Sequence, residues 1–291
     1  MRRSRHTVAL AILALIAVGC ASPSASPNVL PSAATATPSP SPSGDAAAAE
    51  LLAAAIATLD EGTARVEQTI EFEGSTVIPD GTSATARGQG SFDEPIQLRL
   101  EADFSELGIG KLVMIRDDTL VYMRGEVATQ LVGRGNWLLV DLESTDPAAA
   151  PFKSLASGQN DVSMALYYLY GISGDVGASD GESIDGQPTV RFEMEIDLEA
   201  ARDTIPEERM EALEDLIAGL RTGGIDRSLD AEVWVGADGF VRRVHYDYHL
   251  GTGQGGGSLI TVIDFSDFGE PIELDIPSEE DVVSVEDAVP Q

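Results

Sequence analysis

Three patterns in the chain have residue types that could support metal binding or catalysis. His245, Asp247 and His249 form a His-x-Asp-x-His run that resembles a metal site. Residues four apart in a strand are separated by about 13 Å, so both histidines cannot bind one ion at about 2 Å. We therefore expect these residues to be solvent-facing positions of an ordinary strand, with no metal bound.

The other two patterns lack the surroundings that their chemistry requires. Gly177-Ala178-Ser179-Asp180-Gly181 matches G-x-S-x-G, but a nucleophile elbow joins a buried strand to a helix. Here the string lies in a predicted loop, 171–186, that is followed by a strand. The glycine run 251–257 lacks the Lys-Ser/Thr pair of a phosphate loop. We expect no catalytic residues and no cofactor.

The single cysteine, Cys20, has a more informative position. Arg2, Arg3 and Arg5 precede an apolar run, 8–18, which is too short to span a bilayer as a helix. The small residues before Cys20 resemble a bacterial lipobox, in which the signal is cut before the cysteine and the cysteine is acylated. We predict a signal peptide at 1–19 and a lipidated Cys20; an ordinary signal peptide with a stray cysteine is the alternative.

Residues 21–44 predict a tether between this anchor and the folded domain. They contain six prolines and seven serines and no charged residue, a composition that favours extended, unpacked chain. Fully extended, this tether would reach up to about 70 Å. We therefore expect an extracytoplasmic protein held at the cell membrane by its acyl chains.

Net charge excludes some partners. The chain carries 18 basic and 49 acidic residues, and removing the signal leaves 15 basic residues. Such a surface repels phosphate backbones and anionic lipid, so we expect no nucleic acid partner. We also expect a monomer. An envelope transporter could be a partner, but the sequence does not identify one.

The elements that would position a site are mostly strands. Helices are predicted at 46–61, 161–170 and 204–220. Alternating polar and apolar residues predict strands at 64–72, 84–92, 96–104, 111–115, 120–123, 137–142, 190–196, 229–235, 240–250 and 259–265. The fold class is α+β: one large, curved antiparallel sheet of about ten strands with about three helices on its concave face, over residues 45–277. Residues 278–291 predict a loose acidic tail.

The covered face of this sheet is the candidate binding surface. One strand places Ala84, Ala86, Gly88 and Gly90 on that face, which indicates either close helix packing or an open cavity. The candidate lining residues are Val66, Ile70, Phe72, Ala84, Ala86, Gly88, Phe92, Ile96, Leu98, Leu100 and Phe104. The tyrosine-rich helix supplies the lid candidates Met164, Tyr167, Tyr168 and Tyr170.

The C-terminal part carries a family resemblance. Residues 231–244 (AEVWVGADGFVRRV) and 264–272 (DFSDFGEPI) resemble the endings of LppX/LprG-type lipoproteins of the LolA-like superfamily. The resemblance implies a half-barrel around helices that encloses a cavity for the acyl chains of a lipid or lipoglycan. It also implies carriage of that lipid across the envelope without catalysis. The alternative is a surface-anchored interaction or sensor module with a filled core and no lipid cargo.

Overall fold

The computed structural model describes residues 44–76, 78–132, 136–147, 149, 152–153, 162–210, 213–214, 217–218, 220, 228–251 and 256–288. The predicted signal peptide, Cys20 and all of the tether except Gly44 lie outside the described residues. Within these ranges no helix is long and apolar enough to cross a membrane.

Twelve strands in the described part of the chain form one open, curved sheet. They are β1 Thr63–Glu73, β2 Thr82–Ser91, β3 Gln97–Phe104, β4 Gly110–Asp117, β5 Leu120–Gly125, β6 Trp137–Asp141, β7 Ile172–Asp180, β8 Thr189–Asp197, β9 Ser228–Gly236, β10 Val241–His249, β11 Ser258–Ser266 and β12 Val282–Ser284. Their order is β12-β6-β5-β4-β3-β2-β1-β11-β10-β9-β8-β7. Only β12, which pairs with β6, is parallel to its neighbour. The expected α+β half-barrel is confirmed, with two strands more than predicted.

The helices are α1 Gly44–Asp60, α2 Glu126–Val132, α3 Met164–Tyr167, α4 Leu198–Ala201 and α5 Val285–Ala288. α1 packs its alanine-rich side against the sheet and ends at Asp60, two residues before Gly62, whose φ is 79°. The helical spacing of Leu52, Ala55, Ile56 and Leu59 predicts one buried stripe, but Ile56 is 41% exposed. Leu51 and Thr58 are buried instead. Thr58 Oγ1 accepts a hydrogen bond from the Val241 backbone N–H at 2.8 Å, which ties α1 to β10.

The predicted loop 171–186 was wrong over most of its length. Residues 172–180 form the edge strand β7, which pairs with β8 through an irregularity between Ser173 and Gly177. This segment is rich in glycine, serine and aspartate, which are depleted in strands, so local propensity did not indicate it. Pairing with β8 overrides that propensity.

The two later predicted helices are found in part. The predicted helix 161–170 forms only the four residues of α3 and a 3-10 turn, Tyr168–Gly171; residue 161 lies outside the described ranges. The predicted helix 204–220 begins with a 3-10 turn, Glu207–Arg209. The spacing of Thr204 and Glu207 predicts a capping box, but the Thr204 hydroxyl instead donates to the Tyr170 carbonyl at 2.8 Å. Several residues of 211–220 are outside the described set.

The acidic C-terminal segment is not a loose tail. Residues 282–284 form β12, and Val285, the first residue of α5, is fully buried. Val282, Val283 and Val285 therefore hold this segment on the folded domain, although its five acidic residues predicted a solvated tail. The folded unit extends to at least residue 288.

We expect deletion of residues 278–291 to destabilise the protein. The deletion removes a strand and exposes the site of Val285, which costs at least about 2 kcal/mol. For a domain of this size that lowers Tm by about 4–8 °C. Thermal unfolding followed by circular dichroism measures the effect, with Glu280→Gln as a control on the exposed part of the segment. An unchanged Tm after deletion would show that β12 does not contribute to the thermal stability of the protein.

Candidate functional site

The face of the sheet that packs against the helices, called the inner face here, carries the predicted lining residues. All of them except Gly88 and Ile96 belong to one contiguous apolar core. Ile96 is buried just before β3, and Gly88 is partly exposed. The alternation of β1, β2 and β3 thus brings the predicted residues to one face, in the register that the pairings show.

Two glycines of the small-residue strand β2 make different contacts. A Cβ atom at Gly90 would lie 2.8 Å from Val162 Cγ2, so the segment before α3 packs directly on β2 there. A Cβ atom at Gly88 would lie 1.9 Å from the Arg99 backbone oxygen, so Gly88 is required by the neighbouring strand. The inner face is therefore closely packed at Gly90. Gly88 allows the β3 backbone to approach closely and does not indicate a cavity.

The inner face is not uniformly closed. Gln68 alternates with Val66 and Ile70 on β1, so its side chain lies on the inner face. Val66 and Ile70 are fully buried, whereas Gln68 is partly exposed. Its register neighbours are Ala86 on β2 and Ile263 on β11, both buried. Gln68 therefore keeps some solvent exposure on a face where the neighbouring side chains are buried.

Gln68 is a residue that the sequence analysis missed. The same period-two alternation that selected Val66, Ile70 and Phe72 also places residue 68 on the apolar face. Its polar side chain sets it apart from the apolar lining candidates. A polar residue interrupting an otherwise apolar alternation is the signal that could have found it.

The predicted lid residues lie in a buried segment held to the sheet. Met164, Tyr167 and Tyr168 are buried, and Tyr170 is partly exposed. The Tyr246 hydroxyl on β10 donates a hydrogen bond to the Ala165 backbone oxygen. The ring of Tyr168 lies 5.6 Å from that of Tyr246, measured between centroids. A second contact comes from the Arg209 guanidinium, 5.2 Å from the centre of the Tyr167 ring.

The tyrosines beneath this segment are insulated from water. Burial raises the pKa of Tyr246 and Tyr248 well above the ordinary value of 10.0, and the neighbouring Tyr168 adds to the shift. Because the phenolate is the charged form, burial disfavours ionisation. These groups therefore keep their hydroxyl protons while the protein is folded.

Alkaline pH is expected to unfold the protein. The pKa of both tyrosines is higher in the folded state than in the unfolded state, so their contribution to stability is complete below pH 10 and falls as pH rises above it. Tyrosinate absorbance should therefore rise together with loss of circular dichroism. The double variant Tyr246→Phe, Tyr248→Phe should show a weaker pH dependence above pH 10. Ionisation of all tyrosines in a protein that stays folded would contradict this expectation.

The opposite, outer face of the sheet is polar and charge-paired. Arg243 binds both carboxylate oxygens of Asp264, at 2.5 and 2.9 Å. Arg191 binds both oxygens of Glu232, at 2.9 and 2.6 Å. The Trp234 ring lies between the two guanidinium groups, with centroid distances of 5.7 and 5.8 Å. A shallow groove of about 730 Å³ beside Arg243 is lined mainly by charged residues, so this face suits water rather than an acyl chain.

The sequence patterns considered for chemistry also lie on this polar side or at an edge. His249 Nε2 is 3.3 Å from an Asp230 carboxylate oxygen, and His245 Nδ1 is 3.9 Å from one of Glu232. No group of three His, Cys, Asp or Glu side chains in the described ranges is placed to hold a metal ion. Ser179 lies on the edge strand β7, and the strand β8 follows it rather than a helix.

No family model matches the sequence, and no curated protein matches it either. Similar solved structures include the lipoprotein LppX of Mycobacterium tuberculosis, with 16% identity, coverage of 79% of this chain and 99% of that chain, and a TM-score of 0.47. LprF of Mycobacterium bovis has 15% identity, coverage of 81% and 99%, and a TM-score of 0.49. A LolA superfamily protein of Nitrosomonas europaea has 11% identity, coverage of 81% and 95%, and a TM-score of 0.29.

The structure confirms the fold class that the resemblance implied. The open, curved sheet of the chain, with helices on its inner face, is the α+β half-barrel expected from the sequence. The motif residues themselves form β9, β10 and the turn between them, and then the end of β11.

Proposed function

We propose that this protein is a membrane-anchored envelope lipoprotein that binds the acyl chains of a lipid or lipoglycan inside its half-barrel and carries that lipid across the envelope. The observation that carries the proposal is the partial exposure of Gln68, between the fully buried Val66 and Ile70. Gln68 lies on an inner face that is otherwise apolar over many strands. An apolar interior with an accessible space is what an acyl chain requires.

Binding would be driven by burial of the acyl chain. Each Å² of apolar surface removed from water contributes about 25 cal/mol. The polar, charge-paired outer face would stay in water while the inner face holds the chain. This division of roles needs no catalytic group and no cofactor, and we propose a carrier rather than an enzyme.

The proposed anchor lets such a carrier stay near its source of lipid. Acyl chains on Cys20 would hold the protein at the extracytoplasmic face of the cell membrane. The tether 21–44 would let a monomeric domain move up to about 70 Å from that surface. Sequence resemblance to envelope lipoproteins supports this placement.

A second candidate function is a surface-anchored interaction or sensor module with a filled core. The packing of Val162 onto Gly90 favours it, because at that point a helical segment occupies the face of β2. The acidic surface would then bind a protein partner. This candidate requires that no lipid enters the space at Gln68.

A lipid transfer assay distinguishes the two functions. The full lipidated chain is placed in donor vesicles of phosphatidylcholine that contain a fluorescent phosphatidylcholine and a quencher. Acceptor vesicles without quencher report transfer as a gain of fluorescence. The carrier function predicts at least about a tenfold acceleration over vesicles without protein; the same rate with and without protein contradicts it and favours the interaction module.

We further propose that the segment 162–171 is the lid of the cavity, with Met164, Tyr167, Tyr168 and Tyr170 at the mouth. A side-chain hydrogen bond from Tyr246 to Ala165 links α3 to β10. We expect the backbone amides of Leu166 and Tyr167 to exchange with solvent faster than those of β1, and faster again in Tyr246→Phe. Hydrogen exchange measured by mass spectrometry tests this, and protection equal to that of β1 would exclude a lid.

A further inference from the structure

Gln68 has an unusual environment for an amide side chain. It occupies the middle of β1, which is the seventh strand of twelve across the sheet. In the described part of the chain, no hydrogen bond or ion pair engages its side chain. The side chains next to it on the inner face belong to Val66, Ile70, Ala86 and Ile263, none of which can donate or accept a hydrogen bond.

An amide in such a place costs free energy unless something satisfies it. Water in the accessible space can hydrogen-bond to Gln68 while the cavity is unliganded. A plain hydrocarbon chain entering the same space would displace that water and leave the amide unpaired. A chain that carries an oxygen at this depth would also displace the water, but its oxygen would form a new hydrogen bond with the Gln68 amide.

We propose that Gln68 is a specificity-determining residue that selects acyl chains bearing a hydroxyl group within the chain. This inference rests on the proposed function, because it names the class of cargo for the same cavity. The central position of Gln68, away from both sheet edges and from both ends of β1, places the recognised oxygen along the chain rather than at the headgroup. The amide can both donate to and accept from a hydroxyl.

The test uses a competition between two fatty acids that differ by one hydroxyl. The full chain is incubated with an equimolar mixture of octadecanoic and 12-hydroxyoctadecanoic acids and recovered by size-exclusion chromatography. Bound acids are extracted and quantified by mass spectrometry. The variant Gln68→Leu removes the amide at similar volume, and Gln89→Leu makes the same change on the outer face of β2 as the control.

We expect the wild-type chain and Gln89→Leu to prefer the hydroxylated acid by about tenfold, since one hydrogen bond is kept or lost. In Gln68→Leu the preference should reverse, because leucine offers no partner to the hydroxyl. The Tm of Gln68→Leu should equal or exceed that of the wild type. A Tm well below the wild-type value would show that Gln68 has a structural role and overturn the proposal.

The outcomes separate this inference from the proposed function. If the wild-type chain takes up neither acid, both the proposed function and the inference fail. If it takes up both acids without preference, or if Gln68→Leu keeps the wild-type preference, the lipid-binding function stands and the role of Gln68 is overturned.

Discussion

Ala86→Phe is expected to abolish lipid binding while leaving the protein folded. Ala86 lies directly beside Gln68 in the register of β1 and β2, on the inner face. A phenylalanine ring there would fill the space in front of Gln68 that we assign to the acyl chain. We expect at least a tenfold loss of bound lipid per chain, measured by extraction and mass spectrometry, with a change in Tm of a few degrees.

The neighbouring residue provides the matched control. Thr85 belongs to the same strand but lines the groove on the outer face, so Thr85→Phe should leave lipid binding unchanged. If the core is filled, Ala86→Phe would instead overpack it at a cost of about 1–3 kcal/mol. A large fall in Tm with unchanged lipid content would therefore contradict a cavity at this position. Gly88 is unsuitable for such a test, because any side chain there meets the Arg99 backbone oxygen.

Cys20→Ser is expected to abolish acylation of the chain. Serine has no thiol to carry the acyl group, so incorporation of labelled palmitate should fall to background. The signal 1–19 should also stay attached, because it is cut before an acylated cysteine in the lipobox pattern. Mass spectrometry of the intact chain would show the extra 19 residues.

The control for this variant is Ser22→Ala, two residues further along the tether. It should be acylated and processed like the wild-type chain. Palmitate incorporation that persists in Cys20→Ser would place the acyl group elsewhere. A wild-type chain that carries no acyl group would show instead that residues 1–19 form an ordinary signal peptide.

Much of the fold could be predicted because strands with one covered face alternate with period two. That pattern located β1 to β6 and β8 to β11. Turn-forming residues, Pro79-Asp80-Gly81 and Gly236 to Gly239, lie between strands that pair, β1 with β2 and β9 with β10. It did not locate β7 or β12. β7 is a glycine- and aspartate-rich edge that exists only through pairing with β8, and β12 spans three residues in an acidic segment.

The helices were predicted less well, because packing decides their length. Ten consecutive residues of high apolar content predicted a helix at 161–170, but the described part bends from α3 into a 3-10 turn. In the same segment, the Ala165 carbonyl accepts a hydrogen bond from the Tyr246 hydroxyl, and Val162 packs against Gly90. Contacts with residues about 80 positions away in the chain are not visible in local periodicity.

The candidate site was predictable as a face but not as a cavity. Strand alternation correctly placed Ile70, Phe72 and Leu98 on one buried face. Whether space remains on that face depends on how closely the helical segments approach each strand. At Gly90 they approach to contact, and at Gln68 they leave the side chain accessible.

Native mass spectrometry tests the central proposal most directly. The full chain, released from detergent micelles, is measured before and after extraction with organic solvent, and the covalent anchor is accounted for from the extracted sample. The carrier function predicts a lipid adduct near one molecule per chain that disappears on extraction and returns when phospholipid is added. A chain with the same mass before and after extraction that also takes up no added phospholipid would contradict the account.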